Sequence, residues 1–347
     1  MALRWLIYGA NGYSGKLIAH KAVARGYHPV LAGRNATEIE HFAGALQLQH
    51  RVFSLSDPSQ VKQQLIDIDL VINCAGPFSK TAAPLIQACI STATHYLDIT
   101  GEIDVFEYAH SQSEAAKKAG IVLCPGVGFD VIPTDCLAAR LYAQMPDATH
   151  LALGFDSASR MSRGTAKTSI ERLGHGGAAR IDGIVSSVPL AWKERRIDFG
   201  NGVKSAMTIP WGDVATAFYT TSIPNIEVYI PAPPKLIKRL RLVNWFRWIF
   251  KSRWIQKQLK AKVDQRDSSG PDESARKANP TYIWGEVKNK RGDTKSMRFK
   301  IKNGYTVTAE GAVEVALYIL QHEALPGGYY TPSRLCGAKL LDSFIEH

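Results

Sequence analysis

Three glycines near the start of the chain are spaced as in loops that bind a dinucleotide. The sequence Leu6–Lys16 reads LIYGANGYSGK, with glycines at positions 9, 12 and 15. It follows an apolar run, Trp5–Tyr8, that predicts a strand, and it opens a segment that predicts a helix, which is the context this fingerprint requires. Such glycines permit a tight turn, approach of the backbone to a pyrophosphate and close helix–strand packing. The phosphates would lie at the helix N-terminus, where N–H groups and the dipole favour anions. The predicted contacts are Gly9, Asn11, Gly12, Tyr13, Ser14 and Gly15.

The end of the second predicted strand favours a 2′-phosphorylated cofactor. A site for NAD places Asp or Glu near this point to accept a hydrogen bond from the ribose 2′-hydroxyl. The sequence Leu31–Asn35, LAGRN, contains neither residue. Arg34 instead offers a fork of donors suited to a phosphate, although an arginine after a strand can also be merely solvated. We therefore predict NADP(H), held by Arg34 and Asn35.

Small and polar residues follow three more predicted strands. Because ligands of doubly wound sheets bind beyond the carboxyl ends of the strands, these residues are candidates for one site. We expect Asn73, Ala75, Gly76, Pro77 and Phe78 to contact the cofactor, and Gly126, Phe129 and His175 to line a substrate pocket. Asp130 and Asp98 are the candidate proton donors, although Asp130 could equally cap a turn and His175 could lie in an exposed loop. No His and Glu residues have the spacing of a metal site, and no metal is predicted.

The elements that must position these residues alternate between short apolar runs and helical patterns over the first 125 residues or so. Runs this short and this apolar fit strands of a parallel sheet that is covered on both faces. Alternation of strand and helix predicts a doubly wound, Rossmann-type α/β fold. The predicted strands are Trp5–Tyr8, Val30–Ala32, Val52–Leu55, Leu70–Cys74, Tyr96–Ile99 and Ile121–Cys124.

The pattern changes after Pro133, where strands with more alternation and hairpin turns predict a second, α+β domain on a mostly antiparallel sheet. We expect a cofactor-binding domain at 1–133 and a domain for substrate binding and dimerisation at 134–321. Terminal helices at about 322–347 are expected to pack back on the first domain. The strands predicted here are Leu151–Phe155, Arg196–Phe199, Ile226–Ile230, Tyr282–Lys288 and Met297–Ile301.

The positive charge is concentrated in one segment. The chain has 42 Lys and Arg against 31 Asp and Glu, a formal charge of +11, and Lys235–Lys262 holds ten of the basic residues and no acidic one. No nucleic-acid-binding module accompanies it, so we predict no nucleic-acid partner. Aromatic residues interleaved with Lys and Arg favour a helix on a membrane surface, whereas the simpler alternative is a solvated basic helix pair.

The cellular compartment is predicted from the cysteine pattern and from the absence of membrane-spanning and secretory segments in the sequence. Five cysteines without CxxC spacing indicate buried free thiols in a reducing compartment. No apolar run is long enough for a membrane-spanning helix, and the N-terminus does not resemble a secretory signal. We expect a cytoplasmic protein that can also be peripheral to a membrane.

Motifs along the chain resemble those of the saccharopine dehydrogenase-like oxidoreductases, and most closely those of the trans-acting enoyl reductases. In order they are GANGYSGKLIA, AGRN, VINCAGPF, YLDITGE and PGVGFDVIPTD, followed by Ser162–Thr165 and Gly327–Pro332. The resemblance implies NADPH as hydride donor, a Rossmann domain and a mixed α/β second domain. For the trans-acting enoyl reductases, it implies an unsaturated acyl substrate on a carrier.

Two other functions remain open at this point. A saccharopine-type amino-acid dehydrogenase would need a cluster of carboxylate-binding arginines, for which Arg160, Arg163, Arg172 and Arg180 are candidates. A non-catalytic NADP(H)-binding scaffold or sensor would keep the glycine fingerprint and lose the proton donor. The serine–tyrosine–lysine relay of short-chain dehydrogenases is absent, because Tyr142 and Tyr219 lack a lysine four residues on.

Overall fold

The structure is a computed structural model that describes residues 4–159, 174, 176–246, 252, 255–258, 261, 270–322 and 325–346. The chain divides into two compact units. The first comprises Met1–Ile132 and Tyr305–Gly337, and the second comprises Pro133–Gly304 and Ala338–His347. Ser162–Thr165 and His175 lie outside the described residues, as do Arg160, Arg163 and Arg172.

The first unit is built on a seven-stranded sheet in which every neighbouring pair of strands is parallel. Its order is β3-β2-β1-β4-β5-β6, with a short strand, Gly328–Tyr329, beside β6. This order places the reversal of the doubly wound sheet between β1 and β4, and it confirms the predicted fold class. The six labelled strands are β1 Trp5–Tyr8, β2 Val30–Gly33, β3 His50–Val52, β4 Leu70–Asn73, β5 His95–Asp98 and β6 Val122–Cys124.

Burial explains why these short runs form strands. Every residue of β1, β2, β4 and β6 is buried, as expected where helices cover both faces of a parallel sheet. The sequence placed the third strand at Val52–Leu55, whereas β3 is an edge strand two residues earlier. Its residues alternate between exposed and half-buried, so its sequence contains no apolar run that would mark it as a strand. The helices between the strands are α1 Tyr13–Ala24, α2 Ala36–Leu46, α3 Pro58–Leu65, α4 Phe78–Thr92, α5 Ile103–Ser111 and α6 Ser113–Ala119.

The second unit contains an eight-stranded mixed sheet, and the predicted α+β class holds for it. One pair of its strands, β7 and β12, is parallel, whereas the other pairs are antiparallel. The strands are β7 Ala148–Ser157, β8 Gly177–Ile181, β9 Ile184–Val188, β10 Glu194–Asp198, β11 Val203–Ile209, β12 Asn225–Pro231, β13 Thr281–Asn289 and β14 Thr294–Ile301. The helices are α7 Ile132–Gln144, α8 Asp213–Thr221, α9 Pro234–Val243 and α10 Glu273–Ala278.

Three of these strands, β8, β9 and β11, were not predicted. Their residues are partly exposed, with Ile184 69% and Val203 55% accessible, so neither a continuous apolar run nor a regular alternation marks them. Their partners are nevertheless close along the chain, because β8 and β9 form a hairpin across Asp182 and Gly183 and β11 pairs with β10.

The C-terminal part divides differently from the boundary expected at 321/322. Helix α11, Gly304–Gln321, belongs with the first unit from Tyr305 onward, because Lys21 of α1 and Arg25, which follows α1, form salt bridges of 2.7 Å with its Glu310 and Glu314. The terminal helix expected at Pro332–Ile345 is interrupted at Gly337. Helix α12, Pro332–Cys336, stays with the first unit, whereas the 3₁₀ helix Ala338–Phe344 lies in the second.

Candidate functional site

The glycine loop between β1 and α1 has the close contacts that its sequence predicted. Gly9 has a φ of +78°, a conformation that a residue with a side chain rarely adopts. A Cβ at Gly9 would lie 2.8 Å from the backbone nitrogen of Ala75, so the loop after β1 lies against the loop after β4. A Cβ at Gly15 would lie 2.5 Å from the carbonyl oxygen of Gly9, so helix and loop pack without space for a side chain.

Gly12 differs from the other two glycines, because a Cβ there would meet only the carbonyl oxygen of Gly9, at 3.3 Å. Gly12 is the N-cap of α1, and the helix has neither a side-chain cap nor an acidic residue in its first turn. A helix N-terminus of this kind attracts anions through its N–H groups and dipole. The loop therefore fits the pyrophosphate of a dinucleotide, with space left at the glycine that would face it.

The loop after β2 presents one arginine to solvent. Arg34 is exposed, and among the described residues it has no hydrogen-bond or ion-pair partner. It lies near the end of β1, where burial raises the pKa of the Tyr8 hydroxyl to about 12 and the charge of Arg34 acts to lower it. The guanidinium is thus available for a 2′-phosphate.

Asn11 and Asn35 have structural partners in the same region. The Asn35 side chain caps α2 by accepting from the N–H of Glu38, and its amide donates to the Glu38 carboxylate. The amide of Asn11 donates to the other oxygen of that carboxylate, at 2.7 Å. Glu38, which was not among the predicted residues, therefore joins the glycine loop to the start of α2.

Replacing Arg34 with alanine should remove the preference for NADPH over NADH. Loss of a charge-assisted hydrogen bond to the 2′-phosphate should weaken NADPH binding by about 1.5–3 kcal/mol. NADH lacks that phosphate, so its affinity should change little. Fluorescence titration of both variants with both cofactors measures this, and equal affinities of the unaltered protein for NADPH and NADH would contradict the assignment.

The loop after β4 is held by a buried network. The Asn73 side chain is fully buried; its oxygen accepts from the N–H of Ala75, and its amide donates to the hydroxyls of Thr81 and Tyr96. Asn73 therefore holds the loop from Ala75 to Phe78 through buried hydrogen bonds. The backbone of this loop, at Ala75, lies next to Gly9.

A carboxylate from the next loop fixes the start of α4. The N–H groups of Phe78 and Ser79 donate to the two oxygens of Glu102, at 3.0 and 2.9 Å. Glu102 is 6% exposed, and its own N–H donates to the hydroxyl of Thr100. A buried carboxylate at a helix N-terminus satisfies donors that would otherwise lack partners. Glu102 reaches the start of α4 because the loops after β4 and β5 lie at the same edge of the sheet.

Asp98 joins the loops after β5 and β6. One of its carboxylate oxygens accepts from the N–H groups of Thr100 and Gly126, at 3.0 and 2.9 Å, and the other accepts from the hydroxyl of Tyr96, at 2.8 Å. The side chain is completely buried, and this burial raises its pKa to about 6 in spite of the three donors. This environment suits a residue that positions loops rather than one that exchanges a proton with a substrate.

Stability should consequently fall as pH rises through the titration of Asp98. A folded-state pKa above the unfolded value means that the folded protein binds the proton more tightly. Protonation of this carboxyl therefore stabilises the folded protein most below about pH 4, and that added stabilisation is lost as pH rises through about 6, a decrease of about 3 kcal/mol. Urea unfolding between pH 4 and 7 should show this fall relative to an Asp98→Asn variant. A difference between the two proteins that does not vary with pH would contradict it.

Asp130 lies at the same rim and is half-buried. Its carboxylate oxygen would be 2.6 Å from a Cβ on Gly101, so it lies against the backbone of the β5 loop. The preceding N–H, of Phe129, donates to the Thr308 hydroxyl of α11 at 3.1 Å. The ring of Tyr305, in the first turn of α11, packs edge-on against Tyr13 at 5.0 Å. Helix α11 thus supports both the glycine loop and the β6 loop, a role that the sequence did not suggest.

The arginine cluster of the amino-acid dehydrogenase alternative gains no support from its described member. Arg180 is 4% exposed and donates to the carbonyl oxygens of Val214 and Gly183, with its guanidinium 4.2 Å from the ring of Phe218. These contacts give it a structural role. His175, the predicted pocket residue, lies outside the described residues. The part of the chain that the structure describes holds no group of three metal-ligating side chains.

Most of the N-terminal part of the first unit is similar to a known family of domains. Residues 5–124 match the model of the saccharopine dehydrogenase NADP binding domain. These residues are similar to the NADP-binding domain of saccharopine dehydrogenase. This NADP-binding domain contains the glycine loop, Arg34 and the β4 and β5 loops, so the match confirms NADP(H) as the predicted cofactor and confirms the family resemblance.

Relatives of the NADP-binding domain occur in several proteins. The trans-acting enoyl reductase of Mycobacterium leprae is 30% identical over 151 residues, 40% of this chain and 35% of that protein. Saccharopine dehydrogenase-like oxidoreductases of Arabidopsis thaliana and Mus musculus are 28% and 27% identical over 150 residues, 38% of this chain and 32% and 35% of theirs. The chain thus matches about a third of the length of these relatives.

The fold of the whole chain also has a counterpart. Saccharopine dehydrogenase (L-Glu forming) from Saccharomyces cerevisiae matches with a TM-score of 0.70, covering 99% of both chains at 10% identity. At that identity the likeness concerns the fold, and it extends to both units.

Proposed function

We propose that the protein is an NADP-dependent oxidoreductase that transfers a hydride from NADPH to an unsaturated acyl or lipid-like small molecule, free or carrier-bound. The observation that carries the proposal is the glycine loop with its uncapped helix N-terminus and exposed Arg34, inside a domain similar to that of the trans-acting enoyl reductases. Bound NADPH would supply the hydride. The chain would bind the pyrophosphate with Gly9–Gly15 and the 2′-phosphate with Arg34.

The proton that must accompany the hydride is assigned to Asp130. Of the two aspartates at this rim, Asp98 has all three of its donors inside the protein and no exposed surface, whereas Asp130 is half-buried. A general acid must reach the carbon it protonates. Asn73, Asp98 and Glu102 are assigned the role of holding the loops that border the nicotinamide end. For location we propose the cytoplasm, because all five cysteines are free thiols.

Stopped-flow measurement of NADPH oxidation tests the reaction. Enoyl thioesters of increasing chain length form one panel, and an amino-acid semialdehyde with glutamate forms the other. Three results together support the proposal. NADPH is oxidised with the enoyl panel alone, and deuterium from labelled NADPH appears in the product. The Asp130→Asn variant turns over more slowly but binds NADPH with unchanged affinity. Oxidation only with the semialdehyde would establish an amino-acid dehydrogenase. Tight NADPH binding without turnover in either panel would establish a scaffold or sensor.

A further inference from the structure

Helix α9, Pro234–Val243, is attached to the second unit by one face. Ile237 is fully buried in a cluster with Ala191, Met207 and Ala232. At the end of the helix, the side-chain amide of Asn244 bonds both backbone groups of Leu190, donating to its carbonyl oxygen at 3.1 Å and accepting from its N–H at 2.8 Å. These contacts account for the inner face.

The outer face carries exposed apolar side chains that packing does not explain. Leu242 is 66% exposed, and Trp245 and Phe246, just beyond the helix, are 80% and 60% exposed. Five residues along an α-helix correspond to a rotation of about 140°, so Leu242 lies on the side opposite Ile237. Three large apolar groups exposed together are unusual at a surface that has no partner.

Basic residues surround these apolar groups. Lys235, Lys238 and Arg239 are exposed and, by helical rotation, share the outer face with Leu242. The first turn of α9 contains no acidic residue. Cations at a helix N-terminus oppose its dipole, so their presence weakens the helix. Such an arrangement is expected where the cations serve an anionic partner.

We propose that this outer face docks on the surface of an anionic lipid bilayer. The exposed cations Lys235, Lys238 and Arg239 complement anionic headgroups, and the sequence from Lys235 to Lys262 contains no acidic residue to oppose them. Trp245 and Phe246 are side chains that favour the bilayer interface, and Leu242 adds apolar area beside them. A nucleic acid would use the cations but would leave Leu242 exposed to water. No helix among the described residues is long and apolar enough to cross a membrane, so the contact is with the surface.

Vesicle flotation of the full chain tests this contact. Vesicles of phosphatidylcholine with about one third phosphatidylserine should carry the protein to the top of the gradient, whereas vesicles of phosphatidylcholine alone should not. Added salt should weaken binding, because it screens the headgroups. Changing Lys235, Lys238 and Arg239 to glutamine together should reduce partitioning by roughly 100-fold. As a control, Lys288, Lys290 and Lys295 are changed to glutamine together; they are exposed lysines of the β13–β14 hairpin. This control variant should reduce partitioning much less.

A second pair of variants tests whether vesicle binding requires the exposed apolar side chains. Replacing Leu242, Trp245 and Phe246 with glutamine should abolish flotation. The matched change Ile184→Gln, at a side chain that is 69% exposed in the same unit, should not. All these side chains are outside the packed core, and thermal melts verify that the variants fold. Binding that ignores lipid charge or loss of binding in Ile184→Gln would overturn the proposal. So would flotation that is unaffected by the changes at Lys235, Lys238 and Arg239 or by the changes at Leu242, Trp245 and Phe246. So would tight binding to RNA or DNA, or self-association through the same residues, in a protein that does not float.

Discussion

Replacing Gly12 with valine should abolish tight NADPH binding while the protein remains folded. A Cβ at Gly12 would meet only the carbonyl oxygen of Gly9, at 3.3 Å, so the valine side chain would extend into the space that we assign to the pyrophosphate. We expect NADPH affinity to fall by at least about 100-fold, or about 2.7 kcal/mol. The melting temperature should fall by no more than about 4 °C, the shift that about 1 kcal/mol produces in a domain of this size.

Two other glycines serve as controls for this experiment. Gly15→Val should lose both binding and stability, because its Cβ would lie 2.5 Å from the carbonyl oxygen of Gly9. Gly44 lies in α2, and no atom is within 4 Å of a Cβ built there. Gly44→Ala should therefore weaken neither NADPH binding nor the stability of the fold. Isothermal titration and thermal melts measure the two quantities. NADPH binding retained by Gly12→Val would mean that the cofactor does not approach this loop.

Replacing Asp98 with alanine should have the largest effect on stability. The change leaves the N–H groups of Thr100 and Gly126 and the hydroxyl of Tyr96 without their acceptor in a fully buried site. Buried donors without partners cost about 1–3 kcal/mol each, partly offset by removal of a buried charge. We expect a net loss of about 3 kcal/mol and weaker NADPH binding, because the loops at the rim would no longer be held together.

An exposed aspartate in the adjacent helix provides the comparison for Asp98. Asp104→Ala removes an exposed carboxylate from the first turn of α5, where it interacts favourably with the helix dipole, and should cost less than about 1 kcal/mol. Urea unfolding at pH 7 compares the two variants. If Asp98→Ala is no less stable than Asp104→Ala, the carboxylate does not have the positioning role that its hydrogen bonds indicate.

Features that depend on neighbouring residues could be predicted from the amino-acid sequence. The spacing of Gly9, Gly12 and Gly15 between a buried strand and a helix predicted the phosphate loop, and the absence of an acid beside Arg34 predicted the cofactor. Apolar runs of three to five residues were enough to locate most parallel strands, because a strand covered on both faces has no polar alternation to obscure it. The NADP-binding domain was therefore predictable from its local patterns.

Which polar residues at the rim hold the loops depends on contacts between residues that are distant along the chain. Asp98 was a candidate proton donor by its position after a strand, yet its partner Gly126 lies 28 residues further along, and Glu102 contacts backbone groups 23 and 24 residues earlier. The Thr308 hydroxyl that supports Phe129 lies 179 residues away. Parallel strands bring their carboxyl ends together in an order set by topology rather than by sequence. Whether a carboxylate there is buried against donors or remains half-exposed, as Asp130 is, follows from that order.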